Sequence, residues 1–84
     1  MFIRDLQPSI VDNNGYLTVV SEQTGELVLK VWNVEGQLAK MLVTSVGEGL
    51  QQLALNMSDL GSGNYILNAF HGDVFVKAIR FIKQ

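Results

Sequence analysis

Nearly every apolar stretch in this chain is five to eight residues long, rich in Val, Ile, Leu and aromatic side chains, and closed by a Gly or Asn. That length suits a strand crossing a small domain and is too short for a helix, which needs apolar positions repeating at 3.6 over ten residues or more. The same brevity leaves no run approaching the roughly 20 apolar residues of a membrane-spanning helix. The chain therefore reads as all-β, with turn signals recurring every 8–12 residues.

Taken in order, Ile3 to Val11 is a first strand interrupted by Pro8, whose missing N–H places it at a sheet edge or bulge. Asn13-Asn14-Gly15 reads as a turn, and Tyr16 to Val20 as the strand after it. Gln23-Thr24-Gly25 turns the chain into Leu27 to Asn33, where Leu27, Leu29 and Val31 share one face and Lys30 and Trp32 the other. Val34-Glu35-Gly36-Gln37 closes a hairpin onto Leu38 to Val43, and the glycine loop Val46-Gly47-Glu48-Gly49 leads to Leu50 to Leu55. Asn56 to Leu60 lacks alternation, and its Asn, Ser and Asp side chains bond readily to nearby backbone, so a single helical turn with Leu60 inward is predicted. The last strands, Asn64 to Phe70 and Val74 to Lys83, flank the hairpin loop His71-Gly72-Asp73. About seven antiparallel strands in this rhythm predict an immunoglobulin-like β-sandwich over residues 1–84, with a small open barrel as the alternative.

Size limits this to one core. A chain of 84 residues and 9.3 kDa exposes about 13,500 Å² unfolded and about 5,000 Å² folded. With no Cys, disulfides, thiolate metal sites and thiol catalysis are excluded. A net charge of -2 is not that of an acidic tail or a basic nucleic-acid binder. Met1-Phe2-Ile3-Arg4-Asp5 runs into charge, not into an apolar signal-peptide core, so an exported form is expected to be the downstream part of a longer precursor.

Candidate chemistry is sparse. His71, the single histidine, lies beside Asp73 at a hairpin tip and is expected to be an exposed turn residue, since a metal site needs three or four convergent ligands. Ser9, Ser21, Ser45, Ser58 and Ser62 have only that one imidazole as a base. Asp12, Asp59 and Asp73 lie near three turns but lack the local spacing of a calcium loop. The pairs Gly47/Gly49 and Gly61/Gly63 begin no long helix that would hold a phosphate, and Asn56-Met57-Ser58 fits the N-glycosylation tripeptide. Neither cofactor nor metal nor enzymatic activity is expected. Trp32, Tyr16 and Tyr65 would suit a sugar-stacking platform, which makes a carbohydrate-binding or adhesive module of an extracellular enzyme the alternative binding function.

Charge is unevenly placed: residues 74–84 carry Lys77, Arg80 and Lys83 and no acid, whereas residues 1–73 carry three basic and eight acidic residues. A partner reading the last strand electrostatically would use this.

The succession Leu6-Gln7-Pro8, Leu17-Thr18-Val19, Val31-Trp32-Asn33-Val34-Glu35-Gly36-Gln37-Leu38, Leu53-Ala54-Leu55-Asn56-Met57-Ser58-Asp59-Leu60, Gly63-Asn64-Tyr65-Ile66-Leu67 and Arg80-Phe81-Ile82-Lys83-Gln84 resembles the C-terminal sorting domain of the type IX secretion system, the outer-membrane export route of Bacteroidetes. The likeness runs from Leu6 to Gln84. Its most specific pieces are the Asn33-x-x-Gly36 hairpin, the Leu60-x-x-Gly63-x-Tyr65 step and the basic-aromatic ending. Gln7 stands where the family usually has Asn, Asn33 where it often has Asp, and Asn64 where it has a small aliphatic residue.

The resemblance implies a non-enzymatic, immunoglobulin-like domain that ends a cargo protein and addresses it to the translocon. Its partners would be translocon, shuttle and sortase components and the upstream cargo domain, without nucleic acid or membrane insertion. The protein would pass through the periplasm to the cell surface or medium, with the sortase cutting at or before residue 1. Gly36, Gly63 and Tyr65 would be structural. Recognition is expected along the last strand, at Lys77, Ile79, Arg80, Phe81, Ile82, Lys83 and Gln84, where charge and apolar anchors alternate on an edge open to strand pairing. Unpaired edges also leave a homodimer open.

Overall fold

The alternation read in the sequence becomes two faces in the computed structural model, which describes residues 1–84. Eight strands form: β1 (Phe2–Ile3), β2 (Ile10–Val11), β3 (Asn14–Ser21), β4 (Gly25–Asn33), β5 (Leu38–Val46), β6 (Gly49–Asn56), β7 (Gly63–His71) and β8 (Val74–Lys83). One sheet runs β1-β3-β6 and the other β2-β8-β7-β4-β5. Every second residue of β3, β4, β7 and β8 enters the space between them, where Leu17, Val19, Leu27, Leu29, Val31, Leu67, Ala69, Ile79 and Phe81 form the middle of a single 16-residue core. This is a β-sandwich with the immunoglobulin-like order of strands. Its surface of 5072 Å² is close to the area expected from mass alone.

The first strand differs from its expected form. It is two short pieces, not one interrupted strand. β1 pairs antiparallel with β3, and β2 pairs parallel with β8 in the opposite sheet. Between them Gln7 exchanges two backbone hydrogen bonds with Tyr16, of 2.9 and 2.8 Å, and the Gln7–Pro8 peptide bond is cis. A two-residue strand has too few apolar positions to show a period, so neither the split nor the parallel pair is readable from spacing.

Asn14 and Gly15 are not the expected turn either. Both belong to β3, neither has a positive φ, and Gly15 is buried against Leu6. A Cβ at Gly15 would stand 3.0 Å from three Leu6 side-chain atoms, so the glycine serves close packing here and not turning. Likewise, Asn56 to Leu60 forms no helix. Leu60 donates its N–H to the Met57 carbonyl at 3.0 Å, and the Asn56 side chain accepts from the Ser58 N–H and hydroxyl at 2.9 and 2.6 Å. Leu60 is buried as expected, and Met57 lies deeper still.

Turn glycines occur where positive φ is needed. Gly36 closes the β4–β5 hairpin at φ 79, and Gly72 opens the tight β7–β8 turn at φ 62. β5 and β6, consecutive in sequence, are the outer strands of different sheets, so Gly47 and Glu48 carry the chain across the sandwich. Gln51 holds that crossing by accepting from the Gly47 N–H at 3.0 Å and donating to its carbonyl at 2.7 Å.

Candidate functional site

The residues expected to carry recognition all lie on or just after β8, but β8 is not a free edge along its length. Its last part is sealed by β2, with Ile82 donating its N–H to the Ser9 carbonyl and Gln84 to that of Val11, both at 2.9 Å. Strand periodicity then sorts the side chains. Ile79 and Phe81 point into the core and are 3% exposed, so they cannot be surface anchors; Phe81 stacks on Tyr65 with ring centroids 5.5 Å apart. Lys83 is also buried at the rim, where its Nζ donates to the Gln84 carbonyl at 2.8 Å. Lys77 is half-buried, donating to the Ile3 carbonyl and pairing with Asp5, both at 3.2 Å. Arg80, Ile82 and Gln84 remain outward.

The motif glycines and Tyr65 hold the frame around that strand. Asn33 organises the β4–β5 hairpin: its Oδ1 accepts from the Glu35 and Gln37 N–H groups at 3.0 Å each, and its Nδ2 donates to Gln37 Oε1 at 3.1 Å. Gly36 completes the turn with its N–H on the Asn33 carbonyl at 3.1 Å. Asp at position 33 would preserve the two acceptor contacts and lose only the amide donor. Gly63 starts β7 at φ 154, and Tyr65 donates its hydroxyl to the Gly61 carbonyl at 2.8 Å.

Arg80 and Ile82 belong to a surface that single-strand reading missed. Opposed residues in a sheet point the same way, so the register defines the outer face of the five-stranded sheet row by row. One row runs Leu38, Trp32, Ile66, Arg80; the next runs Met41, Lys30, Asn68, Ala78. Beyond these lie Val43, Val28, Phe70 and Phe75 on one side, and Asn64, Ile82 and Ile10 on the other. Most of these side chains are apolar, and Ile10, Leu38, Met41, Val43, Phe75 and Ile82 are exposed. A groove of about 1030 Å³ crosses β4, β7 and β8, bounded by Val34 and Gly36 of the hairpin and by Ser9 beside β2. The signal for it was present in the strand-by-strand alternation, in the apolar residues on the supposedly solvent side of β4, β5 and β8.

The groove itself has one charged lining residue, Arg80. Lys30 and Arg80 are the charged groups of those rows, and Glu26 stands on the same face one row beyond Val28. Lys30 lies over the Phe70 ring, 5.1 Å from the centroid, and Arg80 has neither a hydrogen-bond nor an ion-pair partner. Trp32 lines the groove, and its indole N–H is buried without an acceptor.

The other candidates are scattered. Tyr16 is on the outer side of the three-stranded sheet, apart from the other two rings, whereas Trp32 and Tyr65, the latter stacked on Phe81, both line the groove of the five-stranded sheet. His71 is not an exposed tip. It ends β7, half-buried, with its imidazole packed over Gly25, where a Cβ would come within 2.5 Å of Nε2. No three His, Asp or Glu side chains converge at a metal-sized site. Asp59 pairs with Lys40 at 2.7 Å, and the hydrogen bond from that ammonium lowers the Asp59 pKa below the ordinary 3.8. No helix is long and apolar enough to cross a membrane. In comparison with known proteins, no family model and no curated protein matches the chain.

Proposed function

We propose that the chain is a non-enzymatic sorting domain that addresses an attached cargo to the type IX secretion translocon for surface anchoring or release. The observation that carries this reading is the ordered resemblance from Leu6 to Gln84. Its pieces fall on joints that a small sandwich needs. Asn33 and Gly36 build one hairpin, Leu60, Gly63 and Tyr65 build the entry to β7, and Phe81 anchors the last strand in the core. These are framework duties, which leave the address itself to outward groups. On and just after β8 those are Arg80, Ile82 and Gln84, of which Arg80 and Ile82 line the groove.

The test fuses residues 1–84 behind a periplasm-directed fluorescent reporter in a type IX-competent Bacteroidetes host and in a translocon-deficient strain. Reporter at the surface or in the medium of the competent strain alone is the expected result. Periplasmic retention of a folded fusion in both strains would reduce the resemblance to one of fold. Joint replacement Arg80→Ala and Ile82→Ser is expected to slow export while leaving the domain folded. Unchanged export would remove these residues from the address. For the rival sugar-binding function, Trp32 and Tyr65 line one groove while Tyr16 lies on the other sheet.

A further inference from the structure

We propose that the outer face of the five-stranded sheet binds an extended peptide segment in which apolar side chains flank a carboxylate, with the segment lying in the groove across β4, β7 and β8 and its carboxylate on Arg80. This inference does not rest on the export reading. It rests on the shape, apolarity and charge of a surface that a domain with a filled core does not need for folding.

Each property narrows the occupant. The face is a contiguous apolar area spanning five strands, of the kind that marks an interaction surface when rimmed by polar groups. The groove reaches from Val34 and Gly36 of the β4–β5 hairpin to Ser9 beside β2, so a segment lying in it would run between these two elements. The one charged residue lining the groove is Arg80, which has no partner within the protein; Lys30, in the next row, has only the Phe70 ring, and the acid on this face, Glu26, stands beyond the Val28 row. A guanidinium on an apolar surface takes a carboxylate as a bidentate, charge-assisted partner.

The same charge argues against a second copy of the chain. A two-fold interface centred on Arg80 would set one guanidinium near the other, while the acid on this face, Glu26, lies three rows away beyond Lys30 and Val28. Two rings, Trp32 and Tyr65, line the groove and would suit a sugar, so a polysaccharide is the competing occupant that the experiment below separates from a peptide.

The register also sets a spacing. Lys30 on β4 and Arg80 on β8 lie two strands and one two-residue row apart, which is about 12 Å from strand separation and rise. An extended peptide covers about 13 Å in four residues, and positions four apart share a face. Acidic residues at i and i+4 therefore reach both cations, with the side chain at i+2 between them over the Trp32 and Asn68 rows. A backbone carbonyl of such a segment would also supply the acceptor that the Trp32 N–H lacks once the indole shifts toward it.

The experiment selects a displayed library of random dodecapeptides against the full 84-residue chain, then measures the enriched peptides by fluorescence polarisation. The expected result is a family carrying Val, Ile or Leu with Asp or Glu at i and i+4. Its affinity should fall about tenfold or more on Arg80→Glu, as for loss of a charge-assisted contact. Arg80→Lys should retain part of the binding, and affinity should weaken with added salt. On an ¹⁵N-labelled chain, bound peptide should shift the Trp32 indole N–H and the amides of β4, β7 and β8. Circular dichroism of Arg80→Glu shows whether the variant folds; if it does not, Lys30→Glu replaces it in the same measurement. The proposal is overturned if no acidic family is enriched, if enriched peptides bind a folded Arg80→Glu chain unchanged, or if their shifts map to the three-stranded sheet. It is equally overturned if the free chain sediments as a dimer through this face, or if a β-glucan probe rather than peptide displaces Trp32 fluorescence.

Discussion

Deleting Phe81 to Gln84 should unfold the domain, a consequence of where the last strand sits. Phe81 is 3% exposed in the core and stacked on Tyr65. Truncating a buried Phe costs about 3–5 kcal/mol. The deletion also takes away the β8 register partners of Gly63, Asn64 and Tyr65 on β7, together with the two hydrogen bonds that Ile82 and Gln84 make to the segment holding β2. Each such bond contributes about 0.5–1.5 kcal/mol net, and Val11, buried on β2, loses its strand partner. An 84-residue domain at the usual 0.05–0.15 kcal/mol per residue has about 4–13 kcal/mol in all, so the loss is comparable with the whole. Urea titration followed by far-ultraviolet circular dichroism checks this, with Arg80→Ala as an outward-facing control expected to lie within about 0.5 kcal/mol of the full chain. A truncated chain that keeps a cooperative transition with a midpoint within about 0.5 M of the full chain would refute the reasoning, since slopes near 1 kcal/mol/M make that a trivial loss. Failed export of the truncated chain would accordingly report on folding, and the exposed pair Arg80 and Ile82 is the cleaner probe of an address.

Three further outcomes follow from particular contacts. Gly15→Ala places a Cβ 3.0 Å from the buried Leu6 side chain, and an overpacking cost of about 1–3 kcal/mol is expected in the same titration; an unchanged midpoint would mean that Leu6 moves freely. Trp32→Phe removes a buried indole N–H that has no acceptor and should be neutral to slightly stabilising, within about 1 kcal/mol, because an unmade hydrogen bond is what is lost; a marked loss of stability would show that the N–H is bonded. Asp59 has its pKa lowered by the Lys40 ammonium, so the pair stabilises the fold above the ordinary carboxylate value and that contribution is lost as pH falls through the depressed value. Asp59→Asn should therefore be less stable than the native chain at neutral pH, with the gap closing below about pH 4; a gap that persists in acid would have another origin.

Much of the fold was legible in the chain. In β4 the alternation of Leu27, Leu29 and Val31 with Lys30 and Trp32 assigns inner and outer sides correctly, because a strand has period two whatever it packs against. The hairpin at Asn33 and Gly36 was equally legible, since its hydrogen bonds are local. Leu60 was correctly placed inward, although its turn is held by a bond to Met57 and not by helix. The candidate site was less legible. From Lys77 to Lys83 β8 mixes charged and apolar residues, but whether its inward side chains are anchors or core depends on a second sheet, and that sheet buries Ile79 and Phe81.

By itself, then, the sequence determined the all-β class, most strand positions, the turns that depend on local backbone chemistry, and a charge asymmetry favouring the last strand. Tertiary structure alone decided that the first strand divides between sheets, that Gly15 is a packing glycine, that His71 covers Gly25, and that Trp32, Ile66 and Arg80 share one row although they lie on three strands. The physical reason is the range of the forces. Periodicity and turn chemistry act over a few neighbouring residues, whereas a surface row is made by register between strands tens of residues apart, which is fixed only when the core closes.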